Sequence, residues 1–141
     1  IKKAALASIK NNEAMYASCD VGKQFQRETG ILDPEMYDYE SLLGVKLKMD
    51  KKARILTRQS GSSHAMTLIG CDTDEQDQPL KWEFENSWGS NNGHNGYLTF
   101  TDKWFDEYMF RIVIHKKYLD EKSKASLKTK PIQLPVWDYM Y

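Results

Sequence analysis

His64 and Asn86 are the side chains of this chain whose types and spacing indicate acid–base chemistry. An imidazole titrates near neutral pH, so it can accept a proton during a reaction and return it later. An asparagine oxygen that accepts one ring N–H fixes the tautomer and the orientation of the ring without adding charge. His64 opens one apolar, strand-like run and Asn86 closes the next, with a polar turn between them. If the runs pair as neighbouring strands, the two side chains meet at one end of the sheet.

A histidine held in this way can activate a cysteine. A thiol attacks a carbonyl group only as the thiolate, and the pKa of a free cysteine is about 8.5. The imidazole of His64 would take that proton while Asn86 holds the ring, as in a Cys-His-Asn triad. Trp88 would cover the His–Asn hydrogen bond, which strengthens as the local dielectric falls. The glycines from Gly89 onward would let the next loop fold back close to the site.

Neither cysteine of the chain fits the part of the nucleophile well. Cys19 follows a strand-like run rather than opening a helix, and the adjacent Asp20 disfavours a thiolate. Cys71 follows His64 by seven residues, an odd separation that predicts side chains on opposite faces of one strand. We therefore interpret Cys71 as a small core residue. Two cysteines without a CxxC pair favour a reducing, cytoplasmic setting, and a disulfide between them stays open.

Length and composition indicate one soluble, globular unit. The 141 residues suit a single domain, with 40% hydrophobic and 28% charged residues. Twenty basic and twenty acidic residues cancel, so no net field favours nucleic acid or an anionic membrane as a partner. No apolar run approaches the roughly 18 residues that span a bilayer. No His, Cys and carboxylate spacing indicates a metal site, and no cofactor is predicted.

The pattern of the chain predicts an α+β fold, an antiparallel sheet with several short helices around it. In the first half we predict a helix over 1–11, a buried strand over 13–21, a loop over 23–33, a helix over 34–43 that Asp33 caps and Gly44 ends, an edge strand over 45–49 and a helix over 50–58. In the second half we predict strands over 64–71, 81–85, 97–100 and 109–115, an acidic turn over 72–79, an irregular loop over 89–96, a helix over 101–108 and an extended tail over 131–141 that docks on another surface.

Several motifs resemble a known family. SHAMTLIG at 63–70, KWEFENSWG at 81–89 and GHNGYLTF at 93–100 are similar to the His and Asn region of the papain superfamily. The branch that the chain resembles is the bleomycin hydrolase / aminopeptidase C family of cysteine aminopeptidases. The motifs that carry this second likeness are CDVGK at 19–23, YDYESLLGV at 37–45, KWFDEYMFRIVIHKKYL at 103–119 and LPVWD at 134–138.

The resemblance implies that residues 1–141 are the C-terminal portion of a papain-like peptidase, its β-rich half, with 120–141 as an extended tail. It also implies a cytoplasmic location, a hexamer of identical subunits and the release of N-terminal residues from peptide substrates. His64 takes the place of the catalytic histidine and Asn86 that of the catalytic asparagine, while Ser87, Trp88 and Gly89 complete the motif. The cysteine and the oxyanion-hole glutamine belong upstream. The family cysteine precedes this pair by roughly 130–150 residues, and 63 residues precede His64.

Three questions stay open at the level of sequence. A non-catalytic papain-like binding or scaffold protein without the nucleophile is one alternative, and a self-contained domain that uses Cys19 is another. The chain has Tyr139 where the family has proline, and it ends at Tyr141, where the family continues. In the family this C-terminus lies in the cleft and limits cutting to free N-termini. The aromatic tail is therefore either a docked extension or a cleft-side or subunit contact.

Overall fold

The computed structural model describes residues 1–47 and 49–140. The α-helices of the described residues are α1 (Lys2–Lys10), α2 (Tyr39–Leu43), α3 (Lys51–Leu56), α4 (Asp102–Tyr108) and α5 (Glu121–Ser126), with a 3₁₀ turn over Lys116–Tyr118. The strands are β1 (Met15–Cys19), β2 (Phe25–Gln26), β3 (Ile31–Leu32), β4 (His64–Thr73), β5 (Pro79–Glu85), β6 (Tyr97–Thr101) and β7 (Met109–Ile112). This mixture of short helices and strands is the α+β class that the sequence predicts.

The described strands form a seven-stranded sheet in the order β2-β3-β6-β5-β4-β1-β7. All neighbours are antiparallel except β3 and β6, which run parallel. The β4–β5 hairpin lies in the middle of this order. Strand β6 flanks β5 on one side, and β1 flanks β4 on the other. Elements at the centre of a sheet are the least free to move, which suits them to carry a site.

Aromatic side chains on one face of the sheet form the core. Trp82 and Phe84 of β5 are fully buried, whereas Lys81, Glu83 and Glu85 are exposed, as the alternation of the sequence predicts. The ring of Phe84 stacks on Phe100 of β6 with centroids 4.2 Å apart.

The helix that closes this core is α4. Its Trp104 packs on Phe100 with ring centroids 4.3 Å apart, and its first turn is capped by the Thr101 hydroxyl, which accepts the Trp104 N–H. The predicted helix over 101–108 and its Thr101 cap are therefore confirmed.

Two predictions for residues 23–43 are wrong. The segment 23–33, predicted as a loop, contains β2 and β3, which pair with each other and then with β6. Strands of two residues are too short to show a periodic pattern. The helix predicted from residue 34 begins only at Tyr39, because the side chain of Asp38, not Asp33, accepts an N–H of its first turn, that of Ser41. Gly44 ends the helix as predicted, in the left-handed region at φ +66°.

The remaining differences concern segments that lack a partner strand. Residues 45–47 and 49 form no strand although apolar and lysine residues alternate there, and Lys48 lies outside the described residues. The strand predicted over 109–115 ends at Ile112. The lysine-rich stretch after it contains α5, which is polar all round and which Asp120 caps by accepting the Ser123 N–H.

The end of the C-terminal tail contacts α3 and Arg58, although several of its apolar side chains stay exposed. Residues 131–135 have no regular structure and 136–140 form turns, while Tyr141 lies outside the described residues. Arg58, just beyond α3, donates a hydrogen bond to the Trp137 carbonyl oxygen at 3.2 Å, and its guanidinium lies 5.7 Å from the centre of the Tyr139 ring. Met140 contributes to a pocket that α3 lines with Ile55.

Candidate active site

The β4–β5 hairpin brings His64 and Asn86 together. His64 is the first residue of β4, and Asn86 follows Glu85, the last residue of β5. Thr67 pairs with Glu85 in the antiparallel register, so the start of β4 and the end of β5 lie at the same edge. His64 Nε2 is 2.8 Å from Asn86 Oδ1, a normal hydrogen-bond distance, and both side chains are partly buried. The structure thus contains the contact between His64 and Asn86 that their spacing predicts.

The neighbouring backbone sets the direction of this hydrogen bond. Ser87 donates its N–H to the same Asn86 Oδ1 at 2.8 Å. A backbone N–H can only donate, so the Asn86 atom that it meets must be the oxygen. The His64 Nε2 must then carry the proton, and in the neutral ring Nδ1 is left as the free acceptor. The arrangement presents one basic nitrogen to whatever lies on the Nδ1 side of the ring.

Trp88 lies against the ring of His64. The two ring centroids are 4.9 Å apart at an interplanar angle of 33°, and 37% of Trp88 is exposed. Phe25 of β2 lies next to the same indole, with ring centroids 6.1 Å apart. The sequence did not indicate Phe25, because it stands in the segment that we predicted as a loop.

The loop after Trp88 folds back onto Asn86, as its glycines predict. The Asn86 N–H donates to the Gly96 carbonyl oxygen at 3.0 Å, and Asn92 Nδ2 donates to the Trp88 carbonyl oxygen at 2.6 Å. Gly89 and Gly96 have φ angles of +85° and +93°, which side chains rarely adopt. Asn86 Nδ2 is buried and has no partner among the described residues, so the amide is oriented through its oxygen.

Gly30 and Gly93 allow this loop to approach β3. A Cβ atom on Gly30 would lie 2.8 Å from Gly93 Cα, and one on Gly93 would lie 2.5 Å from the Tyr97 carbonyl oxygen. Both positions have positive φ as well, +75° and +61°. Only glycine fits at either place, and the loop is thereby held close to the sheet below the site.

Cys19 stands close to His64 but is unsuited to act as a nucleophile. The two residues are opposite each other in the β1–β4 register. However, Cys19 is fully buried, and burial together with the neighbouring Asp20 raises the pKa of its thiol to about 12. Its Sγ forms no hydrogen bond with any described residue. The thiol therefore stays protonated near neutral pH and is closed to a substrate.

Cys71 packs against the core, as predicted, but the reasoning about its face was wrong. A shift in the β4–β5 register between Leu68 and Gly70 places one extra residue in β4. Cys71 consequently lies opposite the buried Trp82, on the same face as Leu68 and His64. Burial, with a smaller effect of Asp102, raises the pKa of its thiol to about 11. Both cysteines are free, so the disulfide left open by the sequence is not formed.

A groove of about 470 Å³ opens beside Asn86. Its lining includes Tyr16 of β1, Ala65 and Thr67 of β4, and Ser87. Tyr16, Ala65 and Thr67 belong to the face of the sheet opposite the aromatic core, because they alternate with buried residues along their strands. An extended peptide or another segment of protein could therefore lie along this face next to Asn86.

The two other histidines of the chain lie on the surface. His94 and His115 are exposed, as predicted for surface residues. Within residues 1–47 and 49–140, no three His, Cys, Asp or Glu side chains lie close enough together to hold a metal ion. In the same residues, no helix is long and apolar enough to cross a membrane.

Comparisons with known proteins cover the whole chain. The model of the Peptidase C1-like family matches residues 1–141. Bleomycin hydrolase from Homo sapiens is 45% identical over 143 aligned positions, which cover 99% of this chain and 31% of that protein. Aminopeptidase E from Lactobacillus helveticus is 42% identical, over 96% of this chain and 31% of its own length.

A solved structure shows the same fold. The crystal structure of PepW from Lactobacillus rhamnosis HN001 superposes with a TM-score of 0.92 at 37% identity, over 99% of this chain and 32% of that one. The chain thus spans about a third of the length of these relatives.

Proposed function

Because the chain belongs to the Peptidase C1-like family, we propose that it supplies the histidine base and the orienting asparagine of a papain-like cysteine peptidase. The observation that carries this proposal is the 2.8 Å contact between His64 Nε2 and Asn86 Oδ1, covered by Trp88. Ser87 supports the pair by fixing the amide orientation, and Gly89 lets the chain turn back after the indole.

The nucleophile, on this proposal, comes from a preceding segment of a longer protein. Relatives about three times as long as the chain support this, and both cysteines of the chain have raised thiol pKa values. The groove lined by Tyr16, Ala65 and Thr67 is a surface on which that segment can pack. Residues 1–141 then form the C-terminal portion of one peptidase domain, and a glutamine of the same upstream segment completes the oxyanion hole.

The chemistry follows from the free Nδ1 of His64. This nitrogen takes the thiol proton, and the thiolate attacks the peptide carbonyl carbon. The imidazolium, still donating from Nε2 to Asn86, gives its proton to the leaving amine as the carbon–nitrogen bond breaks. A water molecule then loses a proton to Nδ1 and attacks the thioester. The acid is released and the thiol is restored.

The substrates we propose are peptides with a free N-terminus, from which single residues are removed. The names of the relatives support this, since one is an aminopeptidase E and another, from Lactococcus lactis subsp. cremoris, an aminopeptidase C. Cytoplasmic location and hexameric assembly belong to the same proposal. In the tail over 120–141, the exposed fractions of Ile132, Val136 and Trp137 are 88%, 70% and 72%. Apolar side chains this exposed favour a contact with the rest of the assembly.

An aminoacyl fluorogenic substrate tests the proposal on two proteins. The 141-residue chain alone should show no turnover, and the full-length protein should show turnover that a thiol-alkylating reagent abolishes. Replacing the upstream cysteine of the full-length protein with serine is the control. Thiol-dependent turnover by the chain alone would overturn the proposed origin of the nucleophile, and an inert full-length protein would favour the non-catalytic, peptide-binding alternative.

A further inference from the structure

The segment that leads into His64 is fastened to the end of β1 by a buried carboxylate. Ser60 Oγ donates a hydrogen bond to Asp20 Oδ2 at 2.8 Å, and Ser63 Oγ lies 3.4 Å from Asp20 Oδ1. Asp20 and Ser60 are only 6% and 7% exposed. We call the hydrogen-bonded set of Asp20, Ser60 and Ser63 the Asp20 anchor.

Backbone contacts extend the anchor on both sides. The Ser63 N–H donates to the Cys19 carbonyl oxygen at 3.0 Å, and the Asp20 N–H donates to the Tyr108 carbonyl oxygen at 3.0 Å. The end of β1 is thereby tied both to the end of α4 and to the residue just before His64. Position 64 is consequently held from the N-terminal side by the anchor and from the side-chain end by Asn86.

A buried carboxylate with hydroxyl partners is not an arrangement that stability by itself favours. Removing a carboxylate from water is unfavourable unless strong partners replace the water. None of the ion pairs among the described residues includes Asp20, and its side-chain partners are hydroxyl groups. In a functional site, hydrogen-bonded supporting residues of this kind hold a reacting side chain in its working geometry.

We propose that Asp20 is a positioning residue for His64. By holding residues 60–63, Asp20 fixes the backbone position of His64. That position determines the direction in which Nδ1 faces the thiol of the proposed upstream cysteine. The inference rests on the proposed function. A misplacement of about 1 Å in such a site can lower the rate about 100-fold, so loss of the anchor should act on turnover more than on substrate binding.

The test uses the full-length protein with the substitutions Asp20→Ala, Asp20→Asn, Ser60→Ala and the double change Asp20→Ala with Ser60→Ala. Ser8→Ala is the matched control. Ser8 is a buried serine that donates to the Glu13 carbonyl oxygen between α1 and β1, away from the anchor. Active sites are counted by stoichiometric alkylation, so that loss of folded protein does not register as loss of rate.

Two readouts separate positioning from stability. In Asp20→Ala, kcat should fall about 10- to 100-fold while KM changes little. The pH midpoint of alkylation of the nucleophile should also rise toward the pKa of about 8.5 of a free cysteine, because a displaced ring no longer stabilises the thiolate. Asp20→Asn keeps one acceptor oxygen for Ser60 and should retain most of the rate. The double change should be no worse than Asp20→Ala alone, because the two residues act as one unit.

The inference is overturned if folded Asp20→Ala or Ser60→Ala keeps both kcat and the alkylation midpoint of the unsubstituted protein. It is also overturned if Ser8→Ala moves both readouts equally. If Asp20→Ala does not fold, Ser60→Ala decides. Should the unsubstituted full-length protein show no thiol-dependent turnover, the proposed function and this inference fail together, whereas activity that is indifferent to the anchor removes the inference alone.

Discussion

Asn86→Ala in the full-length protein should slow peptide hydrolysis by one to two orders of magnitude. The change removes the 2.8 Å hydrogen bond to His64 Nε2. It also frees the Ser87 N–H, which is exposed and can bond to water instead. The loss should therefore be confined to the orientation and basicity of the ring, with a small effect on folding.

The magnitude follows from the charge that the ring carries during the reaction. Once the thiolate forms, the donor at Nε2 belongs to an imidazolium, and hydrogen bonds to charged groups contribute about 1.5–3 kcal/mol. At about 1.36 kcal/mol for each factor of ten, this energy corresponds to a fall in kcat/KM of about 10- to 150-fold. The upper part of that range applies where Trp88 keeps water from replacing the lost acceptor.

The assay is release of a fluorophore from an aminoacyl substrate, with active sites counted by alkylation and folding checked by thermal unfolding. Asn11→Ala is the matched control, because Asn11 Nδ2 donates one hydrogen bond at 2.8 Å to the Ala7 carbonyl oxygen at the exposed end of α1. A folded Asn86→Ala protein whose kcat/KM stays within about threefold of the unsubstituted protein would refute the reasoning. So would an equal loss in Asn11→Ala.

Further expected results concern Trp88, the cysteine thiols and Arg54 of α3. Trp88→Ala should lower kcat/KM about three- to tenfold, since water gains access to the His64–Asn86 hydrogen bond that the indole covers. Trp88→Phe should lower kcat/KM less. The free energy of unfolding in urea should fall as pH rises from 9.0 toward about 12, because the pKa values of the Cys19 and Cys71 thiols are raised in the fold and the unfolded thiols ionise first. Cys19→Ala should remove the part of this slope that Cys19 contributes and leave the part due to Cys71. Arg54→Ala should reduce the free energy of unfolding by about 1–2 kcal/mol. Arg54 is mostly buried and bonds both the carboxylate and the carbonyl oxygen of Glu107, but the Glu107 side chain is 41% exposed and solvent screens the ion pair. Arg54→Lys should cost less.

The central hairpin and its site could be predicted because their signals are local. Residues 81–85 alternate strictly between polar and aromatic side chains, which fixes both the strand and its buried face. His64 and Asn86 stand at the outer ends of two runs joined by a short polar turn, so antiparallel pairing alone brings them together. The papain-like fold that the motifs imply is confirmed by the superposition on PepW.

The features that could not be predicted depend on partners distant in sequence. β2 and β3 are strands only because β6 lies beside β3. The face of Cys71 depends on a register shift in β4 that leaves no mark in the residue pattern. Asp33 and Asp38 are both suitable helix caps, and their sequence neighbours do not distinguish them. Asp20 reads as a polar residue after a strand, and only the folded chain places Ser60 against it.

The most direct measurement of the central claim is the turnover of the full-length protein with His64→Ala, at a substrate concentration well above KM and with folding verified. If His64 is the base, the rate should fall at least about 1000-fold, and the nucleophile should be alkylated only near the pH at which a free cysteine reacts. A folded His64→Ala protein that hydrolyses peptides at the unsubstituted rate would contradict the assignment of the base to His64.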